Sequence, residues 1–402
     1  MSASEYQIPD EYRHELRYVE PADTRPDIEL LAALEKHVPV TGEKNVWAFW
    51  DSGISAIPPW CQRNIASWIR LNSPDGWTVR LVDSVEGSPN NWSKFVLADM
   101  VPPAFAQGTM NGPYVGQHSA DALRGALLYL FGGIFLDVSC ILLRTFDRIC
   151  WNQLEDPASP FRVAVCSIHE EVIQNAFFAS RKGDPFIRSW HQLFVQLWST
   201  PASRNNHVGL RDAPLLQCLN DVPFPVPPIG LKVTAKVFEE YVTQIFCWMR
   251  LCRLSAPEKE EDKLDYNKYW RENVLAISMI QEGWGAEEIA GFDGESIFSL
   301  LTLKIEPPRP EDADYQLATK LVWRMLTKSS LQKVYNGKEL LLKPALGAFL
   351  SKPDNLGKDS LPGTFAGLLR YGAEHFEQTR PVVHTVTAAE ITDTLYKGYL
   401  EL

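Results

Sequence analysis

Asp121, Arg124, Asp137 and Ser139 fall within one stretch, HSADALRGALLYLFGGIFLDVSC, which sets an acid and a base one helical turn apart and ends an apolar run on a second acid. At about 100° per residue, Asp121, Arg124 and Gly125 share one helix face, while Leu123, Leu127 and Leu130 share the opposite one. The polar face could hold the hydroxyls and anionic groups of a ligand, and Gly125 would let that ligand come close. Asp137 could coordinate a divalent cation or hold a sugar hydroxyl, since hard cations take oxygen ligands. A plainer account also fits. An acid in a first helical turn complements the dipole, an i,i+3 Asp–Arg pair is a common surface feature of ~0.5 kcal/mol, and Asp137 could simply cap a turn. The residues by themselves leave both accounts open.

The elements that must position these groups are legible on either side. Ser119 reads as the N-cap of a helix over 119–131, Gly132-Gly133 break it, and IFLDVS is a strand that delivers Asp137 at its C-terminal end. In open α/β sheets that edge is where ligands bind. Upstream, NVWAFW (45–50) is a strand stopped by the turn DSGIS, PPWCQRNIASWIRLN is a helix with Pro at its start, and GWTVRLVD (76–83) is a second strand. Strand, helix and strand in that order form a βαβ unit and begin a parallel sheet. FRVAVCSI (161–168) is a further strand, and NAFFASRKGDPFIRSWHQLFVQLWS turns into an amphipathic helix. The Pro-rich DVPFPVPPIG (221–230) is the best internal boundary, and beyond it the chain reads as mostly helical, interrupted by the charged loop SAPEKEEDKLD. These signals predict an N-terminal arm over 1–40, a catalytic-type domain over 41–230 and a helical acceptor or lid region over 231–402.

The bulk numbers exclude several classes. A formal charge of -11 offers no field for a polyanion, so nucleic acid is not an expected partner. Seven cysteines, an odd number without a CxxC pair, fit a reducing compartment better than a disulfide framework. The N-terminus lacks an apolar signal region and no window reaches ~18 uncharged apolar residues, which predicts a cytoplasmic protein without an integral membrane segment. The phosphate-loop, dinucleotide, zinc-protease and serine-hydrolase motifs are all missing; GWGAE at 283–287 supplies two glycines only. His118, just before the expected cap, either reaches a phosphate or is a solvated loop histidine.

Taken together, Ser119-x-Asp121-x-x-Arg124, Leu127-Leu128-Tyr129, Gly132-Gly133 and Ile134-Phe135-Leu136-Asp137-Val138-Ser139 resemble the SDxxR…YGGxYxDxD block of glycosyltransferases with a GT-A fold. The pattern is most similar to capsular polysaccharide synthesis proteins and to the related α-mannosyltransferase and sugar-binding-region families, over roughly residues 45–200. The resemblance implies an α/β fold, a GT-A-like (Rossmann-like) mixed sheet with flanking helices and a largely helical C-terminal region. It implies a hexosyltransferase that moves a sugar from a UDP- or GDP-sugar to a hydroxyl acceptor, a small molecule or a cytosolic glycan. Retention of configuration by a front-face route is also implied, so no general base is named.

Residue by residue, Asp137 would correspond to the first acid of an Asp-x-Asp motif, meeting the ribose and a Mn²⁺ or Mg²⁺. Asp121 and Arg124 would contact donor-sugar hydroxyls. Trp47, Phe49 or Trp50 would stack on the base, Ser119, Gly132 and Gly133 would help form the donor site, and Asn175 would serve the donor or acceptor pocket. The chain departs from the pattern twice: Ala120 separates Ser119 from Asp121, and Ser139 stands where the second acid should bind metal directly. A neutral hydroxyl is a poor sole ligand for a hard dication. Three outcomes follow: a metal held by the diphosphate, Asp137 and Ser139; metal-independent catalysis with an Arg or Lys cation; or loss of transferase activity. In the last case the fold would be a sugar-nucleotide-binding protein, or one repurposed for non-glycosyl chemistry on a metabolite.

Overall fold

The structure is a computed structural model and describes residues 6–226, 228–256, 264–388 and 391–402. Part of the predicted arm (1–5) and most of the charged loop (257–263) lie outside the described residues.

A short ribbon opens the chain: β1 (Leu16–Tyr18) pairs antiparallel with the last strand, β10 (Phe376–Gln378), so the N-terminal arm is tied to the far end of the sequence. The central sheet has six strands. Strand β2 (Asn45–Phe49) runs parallel to β3 (Thr78–Val82), with the Pro59–Asn72 helix as crossover, and parallel to β4 (Gly133–Leu136) on its other side. Strand β7 (Val172–Ser180) lies antiparallel between β4 and β6 (Val163–His169), and β8 (Val274–Ser278) closes the sheet parallel to β6. A mixed α/β sheet is what the family resemblance implied, whereas the βαβ unit by itself pointed only to a parallel one. Alternation along β2 divides two cores: Val46 and Ala48 pack with Ile65 and Trp68 of the crossover helix, while Trp47 and Phe49 pack with Leu123 and Leu127 of the Val115–Phe131 helix.

Three expectations need correction. The helix begins at Val115 rather than after Ser119, with no side-chain cap at Tyr114. Burial of Tyr114 and His118 against the rings of His207 and Tyr241 decides its start, so tertiary packing outweighs the capping preference of a serine. Residues 175–180, for which no strand was expected, belong to strand β7, and the expected amphipathic helix with Phe186, Trp190, Phe194 and Leu197 follows from Pro185, where the Asp184 carboxylate accepts from Phe186 N and Ile187 N at 3.0 Å each. The run VIQNAFFAS is rich in β-branched and aromatic residues and is buried on both faces, so it hides no helical period. Finally, the region beyond 230 does not stand apart: it contributes β8 to the central sheet and β9 (Leu331–Lys333), which pairs antiparallel with β5 (Cys140–Leu142). Among the described residues no helix is long and apolar enough to cross a membrane.

Candidate active site

Strands β2 and β4 end at one edge of the sheet, and a cavity of about 970 Å³ opens there. Phe49, Trp50, Asp121, Arg124, Asp137 and Asn175 line it, and so do Lys333 and Glu287 from the distant half of the chain.

Its polar floor is a network around Arg124, whose side chain is 2 % exposed. One guanidinium nitrogen bonds both the Asp121 carboxylate and the Gln244 side-chain oxygen, and the other reaches Asp137 Oδ1 at 3.3 Å. The Phe135 ring lies 4.7 Å beneath the guanidinium. Asn175 Nδ2 donates to Asp121 Oδ1 at 3.1 Å and to Gln244 Oε1 at 3.2 Å, while Gln244 Nε2 donates to the Asp121 carbonyl at 2.8 Å. Burial alone would raise the Asp121 carboxyl, but the Arg124 charge and His118, 3.6 Å away, hold it below the usual range. Asp121 therefore stays ionised. The helix that carries it can approach its neighbour because of Gly125, where a Cβ would fall 2.7 Å from that of His191. Gly125 therefore serves helix packing rather than ligand approach.

Asp137 sits at the turn after β4, its backbone N–H on the Ala176 carbonyl and its own carbonyl accepting from Cys140 N. Its side chain is 26 % exposed, with Oδ1 toward Arg124 and Oδ2 2.5 Å from Lys333 Nζ. A divalent cation does not fit this donor set. Both carboxylate oxygens already face cations, Ser139 supplies only a neutral and nearly buried hydroxyl, and among the described residues no three His, Cys, Asp or Glu side chains converge.

Five other sequence candidates fall outside the cavity lining. Trp47 is fully buried and donates its indole N–H to the Gly132 carbonyl at 3.0 Å; it points to the same side as Phe49 but deeper, beneath the open edge of the sheet. Gly132 and Gly133 have φ of +69° and +100°, and a Cβ at Gly133 would lie 2.2 Å from the Asn45 carbonyl oxygen, so they allow β4 to enter beside β2. Ser119 is buried inside its helix, its hydroxyl on Met110 Sδ at 3.9 Å. His118 is neither solvated nor in a loop: it is 3 % exposed among the rings of Tyr114, Trp198, His207 and Tyr241.

Three site residues escaped the sequence. Gln244 had one signal, a polar side chain in the wholly buried helix Thr243–Cys252, whose other polar members are Thr243 and Arg250. Lys333 had none. Glu287 sat unremarked beside the two glycines of GWGAE, on the Gly285–Ala290 helix. It accepts from Gln332 Nε2 at 2.7 Å and Asn336 Nδ2 at 3.2 Å. Burial lifts its carboxyl to about 7 against the pull of those two amides. The opposite wall is apolar, built from Phe224, Phe238, Tyr241 and Val242, with Trp284 and Phe292 beside Glu287.

Comparison with known proteins bears on this arrangement. The family model of the capsular polysaccharide synthesis protein matches residues 26–211. The probable glycosyltransferase FCK3 of Fusarium pseudograminearum is 43% identical over 402 residues, covering 99% of this chain and 100% of its own. The O-glycosyltransferase braB of Annulohypoxylon truncatum is 37% identical over 94% of this chain and 91% of its own, and glycosyltransferase afumC of Aspergillus fumigatus is 38% identical over 89% and 91%. Among solved structures, the PaToxG glycosyltransferase overlays 56% of this chain and 94% of its own at 16% identity with a TM-score of 0.30, too loosely to add to the fold.

Proposed function

Because the chain belongs to the glycosyltransferase family related to capsular polysaccharide synthesis proteins, we propose that it moves a hexosyl group from a UDP- or GDP-sugar to a hydroxyl on a small acceptor with a hydrophobic body. The observation that carries this reading is that one cavity combines the Arg124–Asp121–Asp137–Lys333 charges with an apolar wall of Phe224, Phe238 and Tyr241. A small molecule with an apolar face suits that wall better than a glycan, which would need polar partners along its length.

In this reading the donor's diphosphate lies toward the cationic groups, with Asp137, Asp121 and Asn175 near its sugar and ribose hydroxyls. Phe49 and Trp50 offer faces for the base. The reaction forms a bond between the acceptor oxygen and the anomeric carbon as the bond from that carbon to the diphosphate breaks. The diphosphate leaves with the electron pair. Preorganised charge stabilises it, and no protein nucleophile is required. Glu287, in its ionised form, accepts the hydrogen bond of the acceptor hydroxyl. On a front-face, retaining course the proton passes on to the leaving diphosphate, and on an inverting course it stays on Glu287.

Calorimetric titration with UDP-, GDP-, UDP-glucose and GDP-mannose tests the donor half. Saturable binding of one base series, weakened by Asp137→Ala and Asp121→Ala, is the expected result. No binding of any of them to folded protein would overturn the reading.

A further inference from the structure

We propose that Lys333 is a built-in cation that takes the place a divalent metal would otherwise fill, so that this site handles its donor diphosphate without metal. The inference rests on the donor reading above and deepens it.

The first support is positional. Ser139 stands where a second acid was expected, and the backbone of β9 is laid directly against it: Val334 N donates to the Ser139 carbonyl at 2.9 Å, and Lys333 pairs in register with Cys140. From there the lysine reaches back across the turn to Asp137 Oδ2. Its place is fixed on the other side too, because Lys333 N donates to the Gly283 carbonyl at 3.0 Å. The ammonium is thus delivered by a strand held on two sides, with the lysine side chain 8 % exposed and its partner carboxylate open to the cavity.

The second support is charge balance. Two carboxylates holding one dication are formally neutral, and so is one carboxylate holding one ammonium. Exchanging the second acid for Ser139 removes a negative charge, and Lys333 supplies a single positive one where a metal would have brought two. The adjoining Asp121–Arg124 pair is neutral by itself, and a diphosphate arriving at Asp137 meets Lys333 and Arg124, the two cations that contact that carboxylate, with Lys338 elsewhere in the lining. An ammonium donates hydrogen bonds to phosphate as a point charge and needs no ligand cage. The third support is exclusion: a dication at Asp137 would have to sit within a few Å of Lys333 Nζ, and like charges so close repel strongly in a partly buried site.

The test uses the intact chain and UDP and GDP as probes, by calorimetry in EDTA and in Mn²⁺. Wild-type protein is expected to bind one of them with the same affinity, within about twofold, in both conditions. Lys333→Met should weaken that binding by about tenfold or more, the range for losing a hydrogen bond to a charged group, and Lys333→Arg should restore most of it. A Ser139→Asp/Lys333→Met double variant should acquire Mn²⁺-dependent binding that the wild type lacks. Circular dichroism checks that each variant is folded. Wild-type binding that vanishes in EDTA and returns with Mn²⁺ would overturn the lysine proposal while sparing the donor reading, as would a folded Lys333→Met protein with unchanged affinity. If neither nucleotide binds in any condition, the donor reading itself fails, and this inference with it.

Discussion

The cavity joins two ion pairs of opposite character. Asp121–Arg124 is closed: both side chains are under 10 % exposed, and Gln244, Asn175 and His118 take up most of the atoms the pair leaves free, the buried Arg124 Nε being left without a hydrogen-bond partner. Asp137–Lys333 is open: its carboxylate is 26 % exposed and its remaining surface faces the cavity. The closed pair is a fixed platform whose charges cancel in place. The open pair can exchange partners with a ligand. Polar groups in a low-dielectric interior are costly unless fully satisfied, so rigidity is secured at the first pair and reactivity is left to the second.

Breaking the closed pair should have the largest effect. Arg124→Met strands a buried carboxylate and is expected to cost about 3–5 kcal/mol in urea unfolding and to abolish transfer. Arg124→Lys should rescue stability only in part, because one ammonium cannot replace the guanidinium fork that serves Asp121, Gln244 and Asp137 together. Asp137→Asn should divide the two effects the other way, with a loss of kcat of about 100-fold or more for only ~1 kcal/mol of stability, since the group is partly solvated. An equal stability loss at both positions would erase the distinction between platform and open pair.

A gentler probe is pH. Burial places the Glu287 carboxyl near 7, and its ionised form is the active one, so kcat/KM should rise as pH increases through about 7 and level off above. Glu287→Gln should lower the plateau and remove that acidic limb. The neighbouring charges are already committed: Glu288 on the same helix to Arg324 of the Ala313–Lys328 helix, Glu282 to Arg380, and Lys333 to Asp137. A limb that persists unchanged in Glu287→Gln would assign it to another group. The smallest effects separate the two aromatics. Trp50→Ala should raise the Kd for nucleotide with little change in stability. Trp47→Phe, which loses the indole bond to Gly132, should cost ~1 kcal/mol and leave that Kd alone.

What the sequence could reveal followed from range. Asp121 and Arg124 are one turn apart on a single helix, and Asp137 follows after a glycine break, so local geometry was enough to bring them to one sheet edge. The βαβ start and the aromatic rim of β2 are likewise periodicities within a few tens of residues, whereas the mixed character of the sheet was implied only by the family resemblance. Local signals misplaced the helix start, and the family resemblance credited Trp47, Ser119, Gly132 and Gly133 to the ligand, although all four lie outside the cavity lining; a sequence pattern reports which face a side chain takes and not how deep along the element it lies. Only the tertiary structure brought in Gln244, Glu287 and Lys333. Each reaches the site across more than a hundred residues of chain, by helix packing or by the pairing of β9 with β5, and no spacing rule spans such a distance. The sequence posed the question of the missing acid at Ser139, and only the register that sets Lys333 beside Cys140 placed an ammonium against Asp137, because a strand pairing fixes positions in space that the intervening chain leaves free.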